Sequence, residues 1–248
     1  MTDDDRLEGE NVEKDSSEMP FLDHLEELRM RIIRSLIALF IAAIGAYTLS
    51  GHLLSVLVRA AGDLQAISPL ETFTVRIKIA VVAGLVVALP IILYQAWRFI
   101  APGLLGKEKR VASGLLFSAT ACFVIGGVFS FLYVGPMALR FLEGFATPEI
   151  KNVWSVSRYV SFILRLMLAF GIVFELPVAI FFLSKIGVVT PRLLRRKRRY
   201  AIVLIFLLAA TLTPPDVFTQ LMLAAPLILL YEVGILVSAA AQPKRRSS

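Results

Sequence analysis

The chain lacks most of what a soluble enzyme uses. It has a single cysteine, Cys122, in 248 residues, so neither an internal disulfide nor a thiolate metal cluster can form, and the residue reads as a small packing group. Its two histidines, His24 and His52, have no second ligand at metal spacing. Charged residues make up only 18%, against about a quarter in ordinary globular chains. Acids are scarcer still past the beginning, because eleven of the nineteen Asp and Glu lie in the first 27 residues and only eight follow. Gly106-Lys107 lacks the earlier glycine and the following Ser or Thr of a phosphate loop. No Ser, His and Asp set stands in a water-accessible segment, and no polar stretch is large enough to fold around a catalytic centre. The residues therefore point away from an enzyme and call for no cofactor.

What fills the chain instead is apolar: 57% of it, with a mean hydropathy of +0.76. A bilayer core about 30 Å thick is crossed by roughly 20 apolar helical residues. Four segments, 32–49, 74–97, 111–134 and 159–184, meet that length, and 218–237 is a further candidate. Between the last two lies 200–212, only about 20 Å of helix, set off from 218–237 by the break Thr213-Pro214-Pro215-Asp216. The expected fold is all-α: a polytopic membrane protein of six helices with short fifth and sixth spans. Residues 1–18 read as a disordered acidic tail, 19–238 as the membrane domain and 239–248 as a basic tail.

Lys and Arg are enriched on the cytoplasmic side of membrane proteins. Alternating the connections across six crossings places nineteen of them on the side that holds both termini and four on the other, with Arg76, Lys78 and Arg165 inside or at the edge of spans. Both ends are thus expected in the cytoplasm. The basic residues lack the interleaved aromatic and polar pattern of a nucleic-acid face, so no nucleic-acid partner is expected. Small residues at helical spacing, Ala80, Gly84 and Ala88, or Ala119, Cys122, Gly126 and Gly127, mark close helix crossings, within the chain or with a partner's helix.

A few polar residues stand out against this background. Residues 19–31 form an amphipathic helix ahead of the first span, with Leu22, Leu25, Leu28 and Ile32 on one stripe and Asp23 and Glu27 one turn apart on another face. Glu27 either pairs with Arg31 at i, i+4 or awaits an external guanidinium. Glu108 is the only acid in the second inner loop, among Lys107, Lys109 and Arg110, and is either a solvated charge or part of a site. Glu175, in Phe174-Glu175-Leu176-Pro177, lies deep in the fourth span, where its charge would cost about 2 to 3 kcal/mol or more in lipid. It needs a structural hydrogen bond, a water-filled pocket or a partner, and Pro177 beside it removes a backbone donor. Glu232 reads as structural near the inner end, and Asp216 as an N-cap of the last helix.

In order, His24-Leu25-Glu26-Glu27-Leu28-Arg29, Pro69-Leu70-Glu71-Thr72-Phe73, Tyr94-Gln95-Ala96-Trp97-Arg98-Phe99-Ile100-Ala101-Pro102-Gly103-Leu104, Phe170-Gly171 through Glu175-Leu176-Pro177, and Leu212-Thr213-Pro214-Pro215-Asp216 resemble the motifs of the TatC family, the multispanning subunit of the twin-arginine translocase, over residues 19–237. The resemblance implies a glove-shaped concave bundle in the bacterial inner membrane. It further implies a receptor for twin-arginine signal peptides of folded precursors, which recruits single-span TatA/TatB-type subunits, associates with itself in a receptor complex, sits in membrane lipid and draws on the protonmotive force. Position by position, it assigns Glu27 and Glu108 to the signal arginines with Phe99 nearby, Arg29 and Arg110 to the same inner segments, Glu175 to the buried acid under the concave face, and Asp216 and Gln220 to partner contact at the outer hairpin. Arg59-Ala60-Ala61 departs from the proline that many members carry there. The alternative reading is a secondary transporter of a small solute or ion, which should show repeat symmetry that is not visible in this chain.

Overall fold

The computed structural model describes residues 3–59, 64–100, 109–144, 154–212 and 217–241, with side chains from His24 onward except those of 100, 109–113 and 218. Within them the chain is helical apart from one two-residue parallel strand pair and short connections such as 66–68 and 186–190. Helix α1 spans Asp3–Arg59, β1 Leu64–Gln65, α2 Pro69–Ile100 and α3 Lys109–Phe129; a π turn at Ser130–Val134 leads into α4, Gly135–Glu143. Then come β2, Trp154–Ser155, α5, Val156–Phe174, α6, Leu176–Lys185, α7, Pro191–Leu212, and α8, Val217–Ala241. The amphipathic segment and the first span are one unbroken helix, and the acidic stretch read above as a tail is helical in its backbone from Asp3.

Five stretches, His24–Arg59, Pro69–Phe99, Gly114–Glu143, Val156–Lys185 and Thr219–Ala241, are long and apolar enough to cross a membrane. The fold is that of a polytopic helical membrane protein, as its composition demands. Helix α7 is the exception among the long helices, because its first half carries Arg192, Arg195, Arg196, Lys197, Arg198 and Arg199, all exposed, and only its second half is apolar. Helix α8 has 25 residues, so the shortness expected of both hairpin arms resides in the first arm alone.

Breaks in the helices follow from proline. Pro136 has no N–H to give and its ring crowds the carbonyl one turn back, and the chain widens there into the π turn, with Gly135 N–H donating to Ser130 O. Pro177 acts likewise at the α5–α6 junction, where Glu175 sits between the two helices. At the start of α2, Pro69 occupies the first helical position and Glu71 folds back on the turn, its N–H donating to Ser68 O at 3.0 Å and its Oε2 accepting from Ser68 N–H at 3.4 Å.

Packing is densest where small residues let backbones meet. A side chain on Gly84 would come within 2.6 Å of the Ala43 backbone, so α1 and α2 cross there at near contact, with Ala80 and Ala88 buried on the same α2 face. Gly126 likewise meets the Phe170 carbonyl, joining α3 to α5. One cluster gathers Leu166, Phe170, Val173, Ile205, Leu223 and Leu227 from α5, α7 and α8. A second joins Leu57, Val75, Ile79, Tyr159 and Ile163 at the end that carries the strands, and a third joins Trp97, Leu115, Ala119 and Phe182 at the other, with Cys122 packed against it. Helix α1 stands apart, with Leu36, Phe40, Ile41 and Ile44 more than half exposed, as a lipid-facing helix requires.

Candidate functional site

The end of the bundle where α2 finishes brings together residues far apart in sequence. Arg31 on α1 is buried and reaches both ways: its Nε donates to Glu27 Oε1 at 3.0 Å and its Nη2 donates to the same oxygen, while its Nη1 lies 3.4 Å from the Gln95 carbonyl and 3.5 Å from Gln95 Oε1. The i, i+4 spacing on one helix face sets the first contact, and the α1–α2 packing sets the second. Both Arg31 donors fall on one oxygen of Glu27. Among the described residues its other oxygen faces His24 Nδ1, at 3.7 Å, and the Glu27 side chain is 41% exposed. The His24 ring stacks on Phe99 at 4.3 Å, nearly parallel. The result is a fixed carboxylate with one open face beside an aromatic wall. Alongside runs an apolar groove of about 390 Å³ lined by Leu28, Ile32, Leu36, Leu39, Ile92 and Phe99.

Of the residues singled out in sequence, Glu27 and Phe99 meet here. Arg29 is exposed two residues from Glu27, which turns it to a different helix face. Glu108 and Asp216 lie outside the described residues, as does the Arg110 side chain. Glu175 belongs elsewhere, at the α5–α6 break, where its Oε1 is buried without a hydrogen-bond partner among the described residues. Gln220 is part-buried, its Nε2 donating to Phe206 O at 3.0 Å across the α7–α8 hairpin. Glu232 pairs with Arg198, and Tyr231 OH donates to Leu194 O at 2.8 Å, so the basic half of α7 is clipped to α8 in the structural role read from the sequence.

Arg31 fills the i, i+4 pairing expected of Glu27, and His24 and Gln95 complete the site without a role assigned from the sequence. In the sequence His24 stands out only as a residue without a second metal ligand, and its spacing of three from Glu27 is the available signal. Gln95 gave none, since its place depends on the register between two helices. Glu71, which the sequence presents only as part of the 69–73 motif, is a further such residue. It gathers the opposite end of the bundle, accepting from Ile67 N–H at 2.7 Å, Ser157 N–H at 2.6 Å and the Ser155 hydroxyl, and so ties both strands to α2 and α5.

The family model for the Sec-independent protein translocase protein TatC matches residues 23–226. TatC of Aquifex aeolicus strain VF5 is 40% identical over 240 residues, covering 92% of this chain and 98% of its own length. TatC of Carboxydothermus hydrogenoformans is 39% identical over 234 residues, covering 92% and 96%. Among solved structures, a crystal structure of the twin arginine translocase receptor TatC in DDM superposes with a TM-score of 0.79 at 39% identity, covering 87% of this chain and 99% of that one. A second crystal structure of that receptor gives 0.78 at 40% identity, covering 88% and 99%. With its membrane-spanning helices, its motifs in order and these likenesses over nearly its whole length, the chain belongs to the TatC family, the translocase components, not enzymes, of Sec-independent protein transport.

Proposed function

We propose that the chain is the receptor subunit of a twin-arginine translocase, and that Glu27 receives a guanidinium of the signal peptide. The observation that carries this is the half-open carboxylate: Arg31 occupies one oxygen and holds the group still, leaving the other to an incoming donor. A guanidinium presents planar paired N–H groups to such an oxygen, and an ammonium does not. Phe99, under His24, offers a face on which a guanidinium can stack. Apolar residues of the signal would lie in the groove along α1 and α2. Glu108, from the neighbouring inner loop, would take the second arginine, with Arg29 and Arg110 flanking.

In this reading both termini are cytoplasmic in a bacterial inner membrane, as the nineteen-to-four division of Lys and Arg supports. The α7–α8 hairpin, with Asp216 and Gln220, would dock single-span partner subunits, and copies of the chain would associate in the receptor complex. Glu175 would act after recognition, during protonmotive-force-driven passage of the folded cargo. Photocrosslinking of a twin-arginine precursor to the membrane-embedded protein tests the reading, with a twin-lysine precursor as control. Crosslinks at positions flanking Glu27 that vanish with twin lysine are expected; equal crosslinking by the two precursors rejects it.

A further inference from the structure

Three cations stand inside the apolar helices near the end that carries β1 and β2. Arg76 is turned toward α1, with Nε donating to Ser50 Oγ at 3.1 Å and its guanidinium 5.3 Å above the Tyr47 ring. Lys78, two residues on, is turned toward α5, where its Nζ donates to Ser161 Oγ at 2.8 Å. Arg165 lies one turn beyond Ser161 on the same face of α5 and is exposed. Among the described residues, none of the three has a carboxylate partner. Glu71, the acid nearest in sequence to Lys78, is already engaged by its own loop and by the start of α5. Exposed cations in a membrane span call for a counter-charge.

Depth indicates which one. Helices α2 and α5 both start at this end, so Lys78 is about 14 Å and Ser161 about 8 Å from the respective helix starts. The ammonium has therefore reached back about one turn toward the membrane surface, as long basic side chains do. Helical side chains lean toward the helix N-terminus, so Arg165 extends the same way and its charge approaches the level of Ser161. Helix α2, 32 residues or about 48 Å long, exceeds a 30 Å hydrocarbon core by about 9 Å at each end. The level of Ser161 is thus the boundary between headgroups and acyl chains.

We propose that Lys78, Ser161 and Arg165 form a binding site for the phosphate of a phospholipid headgroup. The two cations balance its charge, the Ser161 hydroxyl accepts from Lys78 and donates to a phosphate oxygen, and the acyl chains run down past exposed Val81 and Ile172. This site is independent of the peptide-binding reading and lies at the other end of the helices from Glu27.

The test uses the full chain purified in detergent and mixed with phosphatidylglycerol, with bound lipid counted by native mass spectrometry. The wild type should retain one phospholipid that K78Q/R165Q loses roughly tenfold in occupancy. K78R/R165K, which keeps both charges, and R140Q, which removes an exposed cation at the same end, should retain it. S161A, which deletes a single hydroxyl, should weaken retention and serves where the double variant does not fold. Equal retention by wild type, S161A and a folded K78Q/R165Q overturns the site. Displacement of the lipid by millimolar inorganic phosphate shows that the free anion suffices and overturns the lipid assignment.

Discussion

At the scale of single residues, the site turns on two side chains that face each other on one helix. Replacing Glu27 with Gln removes the charge while keeping the shape, and binding of a twin-arginine peptide should fall by roughly tenfold to a hundredfold, the loss of a charge-assisted hydrogen bond of about 1.5 to 3 kcal/mol. Peptide titration by fluorescence anisotropy measures it. Arg31→Gln should act differently: both oxygens of Glu27 are freed for a paired contact that a guanidinium makes and an ammonium does not, so discrimination between arginine and lysine should widen. The ratio of twin-arginine to twin-lysine affinities is the readout. Glu71→Gln cannot hold its donors as a carboxylate does, and should lower the unfolding temperature without changing peptide affinity. The Glu27–Arg31 contact was legible in the sequence because both residues share a helix and a spacing. Gln95 and Ser155 were not, since Gln95 is brought to Arg31 and Ser155 to Glu71 by contacts between segments far apart in the chain.

At the scale of elements, helix crossings are set by missing side chains. Gly84→Leu would drive a branched chain into the Ala43 backbone, which cannot rotate aside, and should destabilise the α1–α2 pair by about 1 to 3 kcal/mol. Thermal unfolding in detergent, compared with Gly45→Leu at a position with open space around it, measures the difference. The crossings were legible as small residues at helical spacing, and so was the break at Pro177, but not the π turn before Pro136, because Pro90 and Pro226 lie inside continuous helices. The strand pair was not: two residues on each side carry no period, and the pairing of Leu64 with Trp154 is a product of the helices that bracket it. The shortness of α7 has its own consequence. If its apolar half, about 20 Å, lies across the bilayer, lipid beside it must thin. Spin labels along 200–212 should report a thinner hydrocarbon layer than labels on the exposed face of α1; equal depths would remove the effect.

At the scale of the whole molecule, the acids of the described helices gather toward the two ends, with one set between. The intermediate point is Glu175, whose buried oxygen has no partner among the described residues and sits where Pro177 breaks a helix. Glu175→Ala should therefore leave peptide binding at the α1–α2 end within about twofold of wild type while reducing export of a folded precursor severely. Export assays in membrane vesicles and binding to the same preparation separate the two; parallel loss of both would place Glu175 in the recognition step. That an acid lies deep in an apolar span was plain from sequence. That its oxygen is unsatisfied required the packing of α5 against its neighbours.

The seam between α1 and α2 also governs distance. From Ala43, at the tight crossing, to Glu27 is sixteen residues, about 24 Å of helix that packs on α2 along one face and is exposed on the other. A pivot of about 5° at that crossing would swing the carboxylate by about 2 Å, enough to make or lose a hydrogen bond. The first helix is in effect a lever whose fulcrum lies in the membrane and whose working tip is the acid, so a change in the surrounding lipid or a neighbouring helix can be felt at the tip without any contact there.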